Sequence, residues 1–398
     1  MRGLLENVDH DAAKGHIIGV PNKFVVCSLL FQDRMQIEKG NKKIISAWCW
    51  YDWANSVYPL VITTAVFPIY FGAVTKTGEV SFIEVFGRQI VNTEFYSYLV
   101  ALSFLMVAMI SPILSGIADY AGRKRLFMQI FSSIGALASI SLFFFTCREN
   151  LWIGVVGSIM ASIGFAGSLV FYNAFLPEIV DEKRMDKVSA RGFTMGYIRS
   201  SILLILCFVV IMMPSTFGIP KLANGDENTG LATRISFMMA GLWWLGFSQI
   251  AFAGLPARTH SRPVETKRLL THGYKELLHV MHQLRQPAQR KLVFFLAGFF
   301  FCALGYMTVI YLATLFGEKE IGMSSSELMI TVLIIQFVAI GGSYLFAAIS
   351  GRIGNIPAIM ISASIWALVC CSTFFVTDKI GFYVVAEIMI AGMFPAIM

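Results

Sequence analysis

Apolar residues run along this chain in long uninterrupted blocks, and polar positions collect between the blocks rather than alternating with them. Ten blocks occupy approximately 44–73, 93–117, 126–147, 151–173, 192–214, 234–255, 291–316, 326–349, 358–376 and 381–398. A helix rising 1.5 Å per residue needs about twenty apolar residues to cross roughly 30 Å of hydrocarbon, so each block predicts a membrane-spanning helix. Stretches such as Leu126 to Phe145 are apolar all round, whereas the strands of a membrane barrel alternate apolar and polar over about ten residues. The pattern predicts an all-α polytopic membrane protein.

Six blocks precede a long polar connection at 256–290 and four follow it. The expected organisation is a tail at 1–43, a first half at 44–255, a linker at 256–290 and a second half at 291–398. The tail is expected to be disordered: its one apolar run, Phe24 to Phe31, is too short to span and has no basic region before it. Met35, just before Lys39, Lys42 and Lys43, offers an alternative start. Within the linker, Leu270, Tyr274, Leu277, Leu278, Met281 and Leu284 recur at helical spacing, with Lys275, His279, His282 and Arg285 between them. This predicts an amphipathic helix on the inner membrane surface. His260 and His272 also fall in the linker, but no cysteine or carboxylate cluster completes a coordination shell. No metal is expected.

Composition agrees with the pattern: 57% of the 398 residues are apolar and only 14% are charged, against about 25% charged in soluble domains. The net charge of +7 would point to nucleic acid in a soluble protein, but here the basic residues crowd short loops beside the spans. Twenty Lys and Arg fall in one alternate set of loops and seven in the other. The positive-inside rule therefore predicts a cytoplasmic amino terminus and a cytoplasmic 256–290 linker, and no nucleic-acid partner. The cysteines in the spans are read as small hydrophobes.

Between the second and third spans stands Gly116-Ile117-Ala118-Asp119-Tyr120-Ala121-Gly122-Arg123-Lys124-Arg125. Gly116 permits close helix approach, Asp119 can bond helix-terminal N–H groups or a cation, and Gly122 allows a tight turn. Arg123, Lys124 and Arg125 hold the loop inside. The segment resembles the cytoplasmic loop signature of the major facilitator superfamily. A degenerate second copy, Ser350-Gly351-Arg352-Ile353-Gly354-Asn355, matches Gly354 to Gly122 but places Gly351 at the acidic position. Six spans, a linker and a repeated motif predict a bundle of two six-helix halves around a central cavity.

Closer resemblance lies in Trp50-Tyr51-Asp52-Trp53-Ala54-Asn55-Ser56, Phe171-Tyr172-Asn173-Ala174-Phe175-Leu176-Pro177-Glu178 and Val188-Ser189-Ala190-Arg191-Gly192-Phe193. These resemble the Atg22-like branch of that superfamily, also called the UMF1 family. The resemblance runs from about residue 43 to the end. It implies a transporter working by alternating access, with the first, fourth, seventh and tenth spans lining the cavity. Fungal relatives release amino acids from the vacuole, which suggests amino-acid efflux by analogy within a shared fold.

Asp52, Asn55, Ser56, Pro59 and Thr63 fall within about 60° of one line on a helix at 100° per residue, so one face of the first span is polar. An intramembrane carboxylate can take up a proton when desolvated and couple proton movement to transport. Against this, Trp48, Trp50 and Trp53 fit an aromatic belt, in which case Asp52 simply reaches the headgroups. Arg199 lies well inside the fifth span, on one face with Gly192 and Gly196, and could bind a substrate carboxylate or pair with Asp52 or Glu178. Snorkelling to the interface is the alternative. Glu387 is a second intramembrane acid near the outer end of the tenth span. Tyr172, Asn173, Tyr306, Tyr311 and Gln336 are possible cavity hydrogen-bonders, although lone polar groups in spans usually join helices.

No nucleotide-binding loop, zinc signature or nucleophile elbow occurs, so neither ATP-driven transport nor enzymatic hydrolysis is expected, and no cofactor. The sequence predicts a monomeric secondary transporter of a small polar solute, with amino acids first and protons a possible partner, in a bacterial cytoplasmic membrane. A sensor or scaffold without transport is the alternative. The first half uses 44–255 and the second only 291–398, so the carboxyl half is expected to be incomplete by about two spans. Asp119 would then lack a partner at the start of an eleventh span.

Overall fold

A computed structural model describes residues 39–76, 82–85, 87–121, 123–257 and 269–392. Residues 1–38 of the tail, His260, Gly122 and residues 393–398 lie outside the described residues, as do the side chains of Asp119, Arg199, His272, Tyr306 and Tyr311.

The chain is nearly all helical. The first span comprises α1 (Lys42–Asn55), a π-helical stretch (Tyr58–Val66) and α2 (Phe67–Thr75). A short antiparallel hairpin, β1 (Phe82–Val85) and β2 (Arg88–Val91), links it to the second span, α3 (Asn92–Ala121). The third to sixth spans are α4 (Lys124–Ser141), α5 (Leu151–Ile179), α6 (Glu182–Met212) and α7 (Thr229–Gly254). The linker forms α8 (Leu269–Leu284), and α9 (Arg290–Lys319), α10 (Ser325–Ile353), α11 (Asn355–Thr373) and α12 (Lys379–Gly392) make the second half.

Helices stand where the apolar blocks predict them, and among the described residues eight are long and apolar enough to cross a membrane. The fifth falls short because its first turns carry Lys183, Arg184, Asp186, Lys187 and Arg191, leaving Ser200–Met212 as its apolar part. The tenth is described for only 14 residues. The linker helix α8 packs against the second span, with Leu278, Val280 and Met281 exposed. In the degenerate motif Gly354 stands between α10 and α11 at φ +88°.

One feature departs from the 100° spacing. Pro59 stands at the start of the π-helical stretch, where the amide of Phe67 reaches back five residues to the carbonyl of Ile62. The hydroxyl of Thr64 likewise donates to the carbonyl of Pro59 at 2.8 Å. A π turn widens the helix and is frequent at functional sites, so the polar stripe does not run straight past Ser56.

In the first half the third, fourth and sixth spans pack through glycines. A Cβ on Gly164 would collide with the backbone of Gly135, and one on Gly135 with the ring of Trp244. The buried side chains divide by depth. At the end bearing Lys42, Arg123 and Arg125, called here the basic end, one cluster joins Trp48, Tyr51, Met128, Phe171, Phe175 and Phe252, all from the first half. Toward the far end a second cluster joins the first, third, fifth and sixth spans to Met329 and Val332 of α10. Ile69 packs there on the group of Met323, Leu328 and Phe382. The two halves are thus clasped at the far end, and the basic-end cluster contains no residue of the second half among the described residues.

Candidate functional site at the crossing of the first, fourth and fifth spans

The three segments singled out in the sequence meet in space. Trp48, one turn before Asp52, stacks on Tyr172 with ring centroids 4.2 Å apart and planes 7° from parallel. Its indole Nε1–H donates to the carbonyl oxygen of Tyr172 at 2.9 Å. A Cβ on Gly192 would lie 3.1 Å from the Trp48 ring and 3.4 Å from Tyr172 Oη. Trp48 is 3% exposed, so its place in an aromatic belt is corrected: its apolar body is taken up by neighbouring helices and its polar edge by a buried carbonyl. Trp50 and Trp53 instead stack on each other, and Phe247 of the sixth span stacks on Trp50 and lies tilted against Trp53.

One turn further in, the bare backbone of Gly196 lies against the polar stripe. A Cβ there would sit 2.7 Å from Ser56 Oγ and 2.8 Å from Asp52 Oδ2. The Ser56 hydroxyl donates to the Asp52 carbonyl at 2.7 Å. Asp52 is 6% exposed and Asn55 1%, which places the carboxylate between helices rather than at the headgroups. The amide nitrogen of Asn55 is buried with no hydrogen-bond partner among the described residues, and so is Thr63 Oγ1 in the π-helical stretch. A carboxylate buried against backbone in this way can take up a proton.

The other candidates are dispersed. Asn173 is exposed on the same face of the fourth span as Pro177. Gln336 is buried in α10 with its Oε1 unpartnered among the described residues. Glu387 is half-buried on α12, which packs on α10 and α11.

At the basic end, Gly116 is buried near the end of α3 and Arg123 is exposed. Lys124 does more than mark topology. It is buried, its ammonium pairs with Glu178 Oε1 at 2.7 Å and donates to the Ala174 carbonyl at 2.9 Å. Arg125 donates to the carbonyl of Leu255 at 2.9 Å, fastening the third span to the end of the sixth. Sequence reasoning missed Trp48 and Lys124 as contact residues. The signal for Lys124 was an acid, Glu178, at the same membrane depth in the last turn of the next span.

A family model described as "Vacuole effluxer Atg22 like" matches residues 40–398. An uncharacterized MFS-type transporter, YxiO, of Bacillus subtilis (strain 168) is 32% identical over 344 residues, covering 86% of this chain and 76% of its own. Autophagy-related protein 22 of Yarrowia lipolytica is 22% identical, covering 83% of this chain. The chain spans 66% of the length of that fungal relative and 55% of the one from Coccidioides immitis. Among solved structures, the major facilitator superfamily transporter FucP aligns over 89% of this chain and 82% of its own with a TM-score of 0.57 at 15% identity. A D-xylose-proton symporter aligns over 88% and 79% with a TM-score of 0.53 at 14% identity. At such identities the likeness is one of fold.

Proposed function

The chain belongs to the Atg22-like family of major-facilitator-type transporters, and from that membership we propose that it exports a small polar solute by alternating access, with Asp52 carrying the coupling proton. Amino acids are the first class of solute to test, in keeping with a family described by vacuolar efflux. The observation that carries the reading is the crossing at Gly196, where a buried carboxylate of the first span rests on the glycine face of the fifth. Motion of the fifth span against the first would move Asp52 between this contact and an open cavity, which is what a proton carrier requires.

The orientation follows from charge. Lys and Arg crowd the basic end, so that end faces the cytoplasm of a bacterial cell. With the halves clasped at the far end, opening at the basic end would load the solute from the cytoplasm, as an exporter requires.

Counterflow of amino acids, peptides and sugars in liposomes, with and without a pH gradient, tests the reading. Asp52→Asn should abolish gradient-driven accumulation and leave solute exchange intact, because exchange needs no net proton cycle. Gradient-driven uptake unchanged in Asp52→Asn would remove the carboxylate from the mechanism, and transport of sugars alone would replace the solute class.

A further inference from the structure

We propose that Trp48 is the positioning residue for Asp52, and that it acts through a turn of the fourth span that Pro177 opens. The inference rests on the reading of Asp52 as proton carrier.

Pro177 lies inside α5. Having no N–H, it leaves the carbonyl of Asn173 without the partner that the amide four residues on would supply, and a proline in a helix interior weakens the turn it closes. The turn around the break is held from outside by three donors. The indole of Trp48 reaches the carbonyl of Tyr172 and the ammonium of Lys124 reaches that of Ala174, each at 2.9 Å. The amide of Gly40 closes the helix on the carbonyl of Ile179, also at 2.9 Å. Carbonyls on either side of the missing bond are therefore gripped from the first and third spans.

Of these donors Trp48 reaches the candidate site. It precedes Asp52 by four residues and shares its helix face. Its ring is fixed on one side by Tyr172 and on another by the bare face at Gly192, and Gly196, one turn on, receives Asp52 and Ser56. The height and rotation at which the first span presents its carboxylate to Gly196 are thus set where Trp48 is tied to the fourth span. The ring alone would allow sliding along the stack; the 2.9 Å hydrogen bond fixes the register.

The test needs no knowledge of the solute. Dicyclohexylcarbodiimide enters membranes and adds to protonated carboxyl groups there, and peptide mass spectrometry reads its rate of addition at Asp52 in the full chain at fixed pH. Trp48→Phe keeps a ring against Tyr172 and Gly192 but deletes the donor. It should raise the rate at Asp52 several-fold with the thermal midpoint unchanged. Trp152→Phe, at a ring 64% exposed, should leave the rate alone. Pro177→Ala supplies a second approach: it restores an N–H for the Asn173 carbonyl, turns the Tyr172 carbonyl from the indole, and should move the rate in the same direction. A wild-type chain that labels at Asp52, with neither folded variant changing the rate, overturns the positioning role and leaves Asp52 as proton carrier. A wild-type chain in which Asp52 never labels at any pH overturns the premise and the inference with it.

Discussion

An ammonium whose side chain is 7% exposed and a carboxylate at 17% stand 2.7 Å apart where Lys124 meets Glu178. Removing one partner leaves a buried charge uncompensated at a cost of about 3–5 kcal/mol. Lys124→Met and Glu178→Gln should each lower thermal stability sharply. The double variant should recover much of the loss, since two neutral groups of similar size need no mutual compensation. Thermal unfolding of the purified protein, followed by size exclusion, reads the cycle. Additive losses would mean that the pair contributes no more than its separate contacts. Charge counting along the chain treats every lysine near a loop alike, which is why Lys124 reads as a topology signal; only the packed structure separates it from the exposed Arg123.

At the scale of helices, the crossing of the third and fourth spans depends on absent side chains. The backbone of Gly135 occupies the place that a Cβ on Gly164 would need, and backbone cannot rotate away as a side-chain tip can. Gly164→Ala should destabilise by roughly 1–3 kcal/mol or more through forced separation of the two helices. Gly246→Ala, where nothing lies within 4 Å of the added methyl, should be neutral or stabilising by up to about 1 kcal/mol, because alanine favours the helix. Equal melting temperatures for these two variants would show that the crossing tolerates separation. The existence of the helices was legible because apolar blocks of this length have few other solutions in a membrane. The π-helical stretch was not, since a fixed 100° spacing holds only for α geometry and a proline at position 59 gives no sign of how the turn re-forms its bonds. The β1–β2 hairpin was missed as well; Phe82 to Val85 carries no clear apolar–polar alternation, and four residues are too few to stand out beside 20-residue blocks.

Taken as a whole, the molecule is two helical bodies that share a core at one end. Met212 of the fifth span and Ser326 of the eighth touch there, with Ser326 Oγ 3.3 Å from Met212 Sδ. Cysteines at both positions on a cysteine-free background should cross-link under mild oxidation, stop transport and release it on reduction; transport surviving the cross-link would show that this end never parts. Which end closes could not be read from the chain, because apolar residues facing lipid and apolar residues facing the other half look alike in sequence. For the same reason the stripe of Asp52, Asn55 and Ser56 was visible while its partner surface was not: Gly196 announces only a lack of side chain. The separate basic-end core of the first half has a consequence for the gene itself. A message cut within codons 258–268 yields two chains that lose only their tether. Co-expressed, they should copurify through the far-end cluster and through α8, which stays on the second chain and packs on the second span of the first, and Val332→Asp, which puts a charge into that cluster, should weaken the pair. Covalent continuity would then serve stoichiometry and membrane insertion rather than assembly.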